Sequence, residues 1–316
     1  MEIEYLKQEL GKIGDHEIRA DAGFTNILDK ELEHVTSRVL ETKYPGLIAR
    51  QAIPVSNEAD PAAETISYDM YDDVGMAQLI SNYADDFPLV DSLRQRFTCT
   101  VKGIGAHYQW SILDLRRAAL ARQPLDVRRA RAARRIMERQ LDKIACLGLA
   151  TAGINGFAKH PNVSTVAPDT GTWSTASGIE ILEDMTKGMR TVDDTTKGAF
   201  FANALAMPVE EYNLVRRKLI STTGDTGRTV LQAFLEIYPG TAVLPWNRLE
   251  NANATDNGPR LVFYTRDPEV LTLEIPQEYE EVPPQAKGLA FKVYCHMRTG
   301  GVKVHYPIAM RYMDGV

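Results

Sequence analysis

Cysteine is scarce in this chain of 316 residues, and Cys99, Cys146 and Cys295 are far apart and form no CxxC pair. Each lies in an apolar stretch, where a free thiol behaves as a small hydrophobe, so three buried, reduced thiols are expected. The six histidines make no HxxxH or HExxH pair, which removes the common zinc signatures. His296 and His305 are roughly symmetric about Gly300-Gly301 and could meet across a hairpin, but without a third ligand they read as strand-face residues. No apolar run approaches the length that spans a bilayer, and Met1-Glu2-Ile3-Glu4-Tyr5 lacks the cationic start and apolar core of a signal peptide; residence in the cytosol with no membrane partner is expected. Thirty-six Lys and Arg against 42 Asp and Glu give a net charge of -6, so no overall cationic field exists and any basic surface must be local.

A catalytic constellation is also missing. Lys102-Gly-Ile-Gly-Ala106 lacks dinucleotide-loop spacing, and Thr223 to Thr229 lacks the four-residue gap and lysine of a phosphate-binding loop, so both read as ordinary turns. The carboxylate pairs Asp72-Asp73, Asp85-Asp86, Asp193-Asp194 and Glu280-Glu281 are adjacent in sequence, which points their side chains apart rather than together. Solvated surface charge is the simpler account. No catalytic residue, cofactor site or metal site is expected, and the chain is not expected to be an enzyme.

What is present is an ordinary globular composition, 44% hydrophobic and 25% charged, enough for one large or two modest cores. Residues 1 to about 60 read as an extended arm with one helical stripe (Phe24, Ile27, Leu28, Leu32, Val35, Val39) and a proline-broken segment, Gln51 to Pro61. From Thr65 the period becomes two, with Ile66, Tyr68 and Met70 opposite Ser67, Asp69 and Tyr71. An apolar piece, Met76 to Ile80, and a polar, acidic stretch follow, after which Phe97, Cys99 and Val101 resume alternation. The pattern predicts a long two-armed hairpin with a polar tip. An isolated ribbon is marginal in water and its edges invite pairing, so it must rest on its own core or on a neighbour.

A helical region starts near Trp110-Ser111, pauses at Gln123-Pro124, and restarts with Asp126 as expected N-cap to run to Leu147, with Gly148 as its stop. Val127, Ala130, Met137, Leu141 and Ile144 form a narrow apolar seam. Arg128, Arg129, Arg131, Arg134, Arg135 and Arg139 crowd the rest. Two readings stay open for this basic helix: contact with nucleic-acid phosphates, or a solvated or subunit-facing surface where Glu138 and Asp142 form ion pairs at helical spacing. Residues 177 to about 260 alternate helices (Ile179 to Val192, Pro208 to Ile220, Thr229 to Tyr238) with short strands (Ala199 to Met207, Ala242 to Leu244). The remainder is strand-rich: Leu261 to Tyr264, Val270 to Ile275, then Leu289 to Met297 and Val302 to Tyr306 flanking Gly300-Gly301 as a predicted hairpin.

This order of parts resembles the α+β, Hong-Kong-97-like phage capsid fold shared by tailed-phage major capsid proteins and encapsulin shells. Several stretches resemble one group of phage major capsid proteins of encapsulin-like form: Ala49 to Pro61, Val74-Gly-Met-Ala77 with Ser81 to Asp86, Leu273 to Glu278 with Pro283-Pro284, and Arg298-Thr-Gly-Gly301 followed by Tyr306-Pro307. None is a chemical motif, and it is their concurrence in order along nearly the whole chain that carries the likeness. The resemblance implies an N-terminal arm (1–60), an E-loop hairpin with flanks (61–110), a peripheral domain with a spine helix (111–176, helix 125–147), an axial domain (177–260) and returning peripheral strands (261–316).

It further implies a structural protein that assembles with itself, as hexamers and pentamers, into an icosahedral virion shell in the host bacterial cytoplasm. Double-stranded DNA would lie on the inner face, with portal and scaffolding or decoration proteins as further partners. Inter-subunit contacts would fall at the hairpin tip, on Asp85, Asp86, Asp91, Arg94 and Arg96, and on the spine-helix basic face, Arg128, Arg131, Arg134 and Arg135, against a neighbour's acidic hairpin or DNA. Two family features are absent: no lysine occurs between Lys43 and Lys102 to form a covalent E-loop cross-link, and the arm is too short to include a cleaved scaffolding segment. An encapsulin-type compartment enclosing cargo enzymes is the nearest alternative; a two-domain α/β enzyme with a site built from distant residues is the alternative from another class.

Overall fold

The computed structural model describes residues 44–77, 88–121, 125–221, 227–253 and 258–316; the expected helix of the first 43 residues, and Asp85 and Asp86, lie outside them. Strands β2 (Thr65–Val74) and β3 (Asp91–Thr100) form the predicted hairpin, antiparallel over their full length from Thr65 opposite Thr100 to Val74 opposite Asp91. Ahead of it come a single helical turn, α1 (Ala49–Ala52), and the two-residue strand β1 (Val55–Ser56).

The glycine-bearing stretch after the hairpin is neither a turn nor a nucleotide loop. It belongs to strand β4 (Lys102–Ser111), which pairs along its whole length with β12 (Ala290–Thr299). On the other side of β12 lie β10 (Gln277–Glu281) and β11 (Gln285–Lys287). Helix α2 (Ile112–Ala121) follows β4, and α3 (Leu125–Leu147) packs on β4 and β12, with Met137, Leu141 and Ile144 buried. Helix α3 begins one residue before Asp126, which therefore stands in its first turn rather than at its N-cap. It ends as expected at Gly148, whose φ of 74° no other residue type adopts cheaply.

A five-stranded sheet in the order β5-β14-β8-β6-β7 divides the interior. Its strands are β5 (Thr165–Val166), β6 (Ala204–Met207), β7 (Ala242–Pro245), β8 (Arg260–Tyr264) and β14 (Met310–Asp314). Because successive side chains alternate across a sheet, Leu205, Met207, Leu261 and Phe263 enter one core with α4 (Gly178–Thr196), α5 (Val209–Arg217) and α6 (Val230–Ile237). Ala204, Ala206, Val262 and Tyr264 enter the other, with α1, α3, β4, β9 (Leu271–Glu274), β12 and β13 (Gly301–Val304). There Phe157 stacks on Trp246 at 5.7 Å and meets Tyr264 edge-on at 4.9 Å, large rings filling space opposite the small alanines. Helices α4 and α6 each start with a complete capping box, Ser177 with Glu180 and Thr229 with Gln232.

Two strand readings need correction. The strand expected over Ala199 to Met207 begins only at Ala204, because the chain leaves α4 through left-handed Lys197 and Gly198 and stays irregular until Asn203. Gly300-Gly301 does not close a hairpin: β12 stays in the four-stranded sheet, whereas β13 pairs with β9, itself joined to β1. The glycines let the chain cross between two sheets. Gly301 has φ 73°, and a Cβ there would lie 2.2 Å from the Ile154 side chain, so period-two alternation on both sides of a Gly-Gly pair was a correct strand signal with the wrong pairing.

Candidate assembly interface

The hairpin has two unlike faces because residues opposite each other in the register share a side. One face carries Ser67 against Thr98, their hydroxyls 3.1 Å apart, and then Asp69, which accepts from Arg96 Nε at 2.8 Å and also binds Arg94. The two guanidiniums, Arg96 first, hold the Asp69 carboxyl well below the usual range. Arg94 and Arg96 thus sit in the middle of the ribbon and grip the opposite strand of their own chain, while Asp91 stands close to the outer end. The other face runs Ile66, Tyr68, Met70 along β2 and Cys99, Phe97, Gln95 along β3, then continues outward through Asp72 opposite Leu93 and Val74 opposite Asp91.

Among the described residues, it is the foot of the hairpin that rests on the body. Tyr68 stacks on Phe97 at 5.4 Å, meets the His305 ring edge-on at 4.7 Å, and donates its hydroxyl to Val304 O at 3.3 Å. Thr100 Oγ1 donates to Ala152 O at 2.9 Å. A crevice of about 220 Å³ lies between foot and body, lined among others by Tyr68, Cys99, His160, Lys303 and His305. Lys303 pairs with the buried Glu274 at 2.7 Å. Burial raises the Cys99 thiol and lowers both imidazoles, and Lys303 lowers His305 further. Cys99 is half-buried, not fully buried as expected; Cys146 and Cys295 are buried, and all three are free thiols. His305 therefore serves the hairpin foot, while His296 lies against Gln277 at 2.8 Å and Glu280 at 3.8 Å; they do not meet.

Beyond the foot, every described residue from 71 to 77 and from 89 to 96 is exposed, including Leu89 at 83%, Val90 at 68% and Leu93 at 57%. Helix α2 adds Leu113 and Leu120 to the exposed apolar surface and has no buried residue among those described. Large apolar side chains gathered on projecting elements mark a contact surface rather than scattered exposure.

On α3 the basic residues divide by direction. Arg128, Arg131 and Arg135 are three to four residues apart and share one ridge, with Arg128 and Arg131 exposed and Arg135 half-buried. Arg134 turns to one flank, its guanidinium 5.8 Å from the Tyr279 ring centre, and Arg129 to the other, where it donates to Gln109 O. Glu138 and Asp142 reach partners in other segments, which corrects the expectation of pairs at helical spacing. Glu138 shares Arg50 with Glu278, and this hydrogen-bonded pairing lowers the Glu278 carboxyl. Asp142, 3% exposed, accepts the N–H groups of Ile48 and Ala49 at 3.1 Å each and pairs with Arg248 at 3.3 Å. It caps α1 from 93 residues away, and sequence offered no sign of this, since an acid among arginines reads as solvated.

Between α3 and β4 runs an open groove of about 350 Å³ lined by Ile104, Ile136 and Met137 and by Arg139, Lys143 and Arg248. Among the described residues no group of three or more His, Cys, Asp or Glu could hold a metal ion, and no helix is long and apolar enough to cross a membrane.

The fold is that of known capsids. It resembles the capsid of Myoviridae phage XM1 with a TM-score of 0.80 at 19% identity, covering 91% of this chain and 98% of that one. It resembles the capsid of a native GTA particle with a TM-score of 0.63 at 14% identity, covering 89% and 94%, and a structure from Mycobacterium phage Ogopogo with a TM-score of 0.60 at 12% identity, covering 90% and 97%. No curated protein sequence matches the chain significantly. At such identities the structures establish the fold, the α+β capsid architecture that the order of parts implied. The family model described as major capsid protein matches residues 75–316, and the chain accordingly belongs to the phage major capsid protein family, structural proteins of the capsid shell.

Proposed function

We propose that this chain assembles with itself, as hexamers and pentamers, into an icosahedral shell around packaged double-stranded DNA. The observation that carries the reading is the hairpin, whose foot is seated on the body while its outer end exposes Val74, Leu89, Val90 and Leu93. A ribbon of two ten-residue strands is about 33 Å long at the usual rise and is marginal when unsupported, so its outer half calls for a surface on an adjacent copy. In this reading residues 1–60 act as an arm that lashes a second neighbour, 61–110 overlie the adjacent subunit, 177–260 meet their copies around the symmetry axes, and 111–176 with 261–316 form the peripheral part. Each contact can be weak, since a closed shell repeats it through symmetry.

The Arg128, Arg131 and Arg135 ridge supports contact with DNA phosphates, a charge-based interaction that needs no base reading. Portal and scaffolding or decoration proteins are further partners in this reading, and assembly takes place in the host bacterial cytoplasm. The family match favours a DNA-filled capsid over a compartment for cargo enzymes. Size-exclusion chromatography of the purified protein, with negative-stain microscopy of the void fraction, tests the proposal. Closed particles or rings of five or six subunits are expected, and nuclease-protected DNA in particles from infected cells separates a capsid from a cargo compartment. A stable monomer or dimer across salt and concentration overturns it.

A further inference from the structure

We propose that the foot of the β2–β3 hairpin is an acid-sensitive hinge, in which protonation of His305 and His160 unseats the foot and lets the ribbon swing away from the body of its own chain. The inference concerns a single chain and does not depend on the shell reading. The two strands enter and leave the body together, where Val101 N–H donates to Glu64 O at 2.8 Å. Among the described residues, the ribbon's bonds to the body come from Tyr68 and Thr100 at its inner end. A ribbon about 33 Å long turns a rotation of about 10° at that end into a displacement of about 6 Å at the other, so whatever seats the foot sets the reach of the whole element.

The seat is built around imidazole. The crevice of about 220 Å³ separates Tyr68, Phe97 and Cys99 on the hairpin from His160, Lys303 and His305 on the body, so the foot is held by few contacts over incompletely filled space. His305 meets the Tyr68 ring edge-on at 4.7 Å, and Lys303 Nζ already lies 5.4 Å from the centre of the same ring. A proton on His305 therefore sets a second cation beside the first. No carboxylate lines the crevice. The buried Glu274, behind Lys303, pairs with that lysine at 2.7 Å and accepts the Thr272 hydroxyl at 2.8 Å, so its charge is already answered.

On the facing wall, His160 Nδ1 accepts the Asn162 N–H at 3.3 Å, a bond that requires this nitrogen to be unprotonated. The His160 main-chain N–H is tied to Tyr312 Oη at 3.0 Å, so the turn cannot simply withdraw from the crevice. Cys99 and Tyr68 are the titratable groups that the hairpin itself presents, and both are neutral where histidine titrates. Burial disfavours the charged form of both imidazoles, with Lys303 adding to the effect on His305 and Glu274 opposing it. Swinging the foot out hydrates both rings, so acid favours the open position.

Cys99 is a built-in reporter, because it is half-buried in this crevice while Cys146 and Cys295 are buried elsewhere. The test is its rate of reaction with 4,4′-dithiodipyridine on the purified full-length chain, divided by the rate for free glutathione at the same pH, with Cys99→Ser supplying the background. Each histidine that only the open foot can protonate gives up to about tenfold per pH unit below about 6.5. The Cys99 ratio is therefore expected to rise roughly tenfold between about pH 7.5 and 5.5 in the parent and to stay flat in His160→Gln/His305→Gln, with Cys146 and Cys295 unlabelled throughout. Equal profiles in parent and variant, or labelling of all three thiols together, overturn the hinge. Should the variant fail to fold, amide exchange in the parent decides. Corrected for intrinsic pH dependence, protection over residues 64–70 and 97–101 must fall on acidification while that of β8 holds, and unchanged protection at the foot overturns the proposal.

Discussion

Arg260 shows how much can depend on one side chain. It is 5% exposed at the side chain, forks onto Asp314 at 2.7 and 2.6 Å, donates to Ala158 O at 2.5 Å, and lies 4.4 Å from the Tyr312 ring centre. Removing one partner of a buried pair strands the other charge, which costs roughly 3–5 kcal/mol when both are dry. Asp314 retains some solvent, so Asp314→Ala is expected to lose about 2–3 kcal/mol in urea denaturation of the unassembled subunit. An unchanged midpoint would show that Tyr312 and the Ala158 carbonyl suffice. The hairpin foot supplies a pH dependence at the same scale. Burial holds His160 and His305 below the ordinary histidine value, so the unfolded chain takes up more protons as pH falls below about 6.5. Their contribution to stability is complete above that pH and is lost as pH drops toward and through the folded values. Melting temperature should therefore fall less between about pH 7.5 and 5.5 in His160→Gln/His305→Gln than in the parent; parallel slopes would exclude the pair as the source.

At the scale of elements, α4 approaches β8 so closely that Gly188 faces the Phe263 ring, where a Cβ would lie 2.3 Å from the ring's far carbon. Alanine in a helix interior normally gains up to about 1 kcal/mol over glycine. Overpacking a close-packed core costs roughly 1–3 kcal/mol, and Phe263 is fully buried with no room to retreat. Gly188→Ala is expected to be destabilising by about 1–2 kcal/mol, with Phe263→Leu in the same chain recovering part of the loss. Equilibrium denaturation of the single and double variants checks this, and additive effects would mean that the ring yields easily. Most elements were legible from periodicity: the β2–β3 hairpin, α3 with its Met137, Leu141 and Ile144 seam, and α4. Pairing was not, because alternation identifies a strand without naming its partner, as β12 and β13 on either side of Gly300-Gly301 illustrate.

For the whole molecule, the division of charge is the property that matters. The protein is net acidic, yet Arg128, Arg131 and Arg135 gather on one ridge of α3 and the outer hairpin gathers carboxylates. If the ridge meets DNA, capsomers should bind a short duplex with salt-dependent affinity, and Arg128→Gln/Arg131→Gln/Arg135→Gln should flatten the plot of log affinity against log salt by about 0.9 per lost contact. Fluorescence anisotropy over a salt series reads this directly. A slope equal to the parent's would assign the ridge to another surface.

The sequence by itself determined the element types, the scarcity of metal and nucleotide signatures, and, through the order of its parts, the capsid fold and family. These follow from local periodicity, composition and motif order, which survive without coordinates. Only the tertiary structure decided that Asp142 caps α1, that Arg94 and Arg96 close on Asp69 within the ribbon, that Glu138 turns to Arg50, and that the hairpin outruns its own support. Each depends on residues brought together from distant segments, or on where a surface ends, and neither a partner's position nor the edge of a support is encoded in the spacing of side chains along one strand or helix.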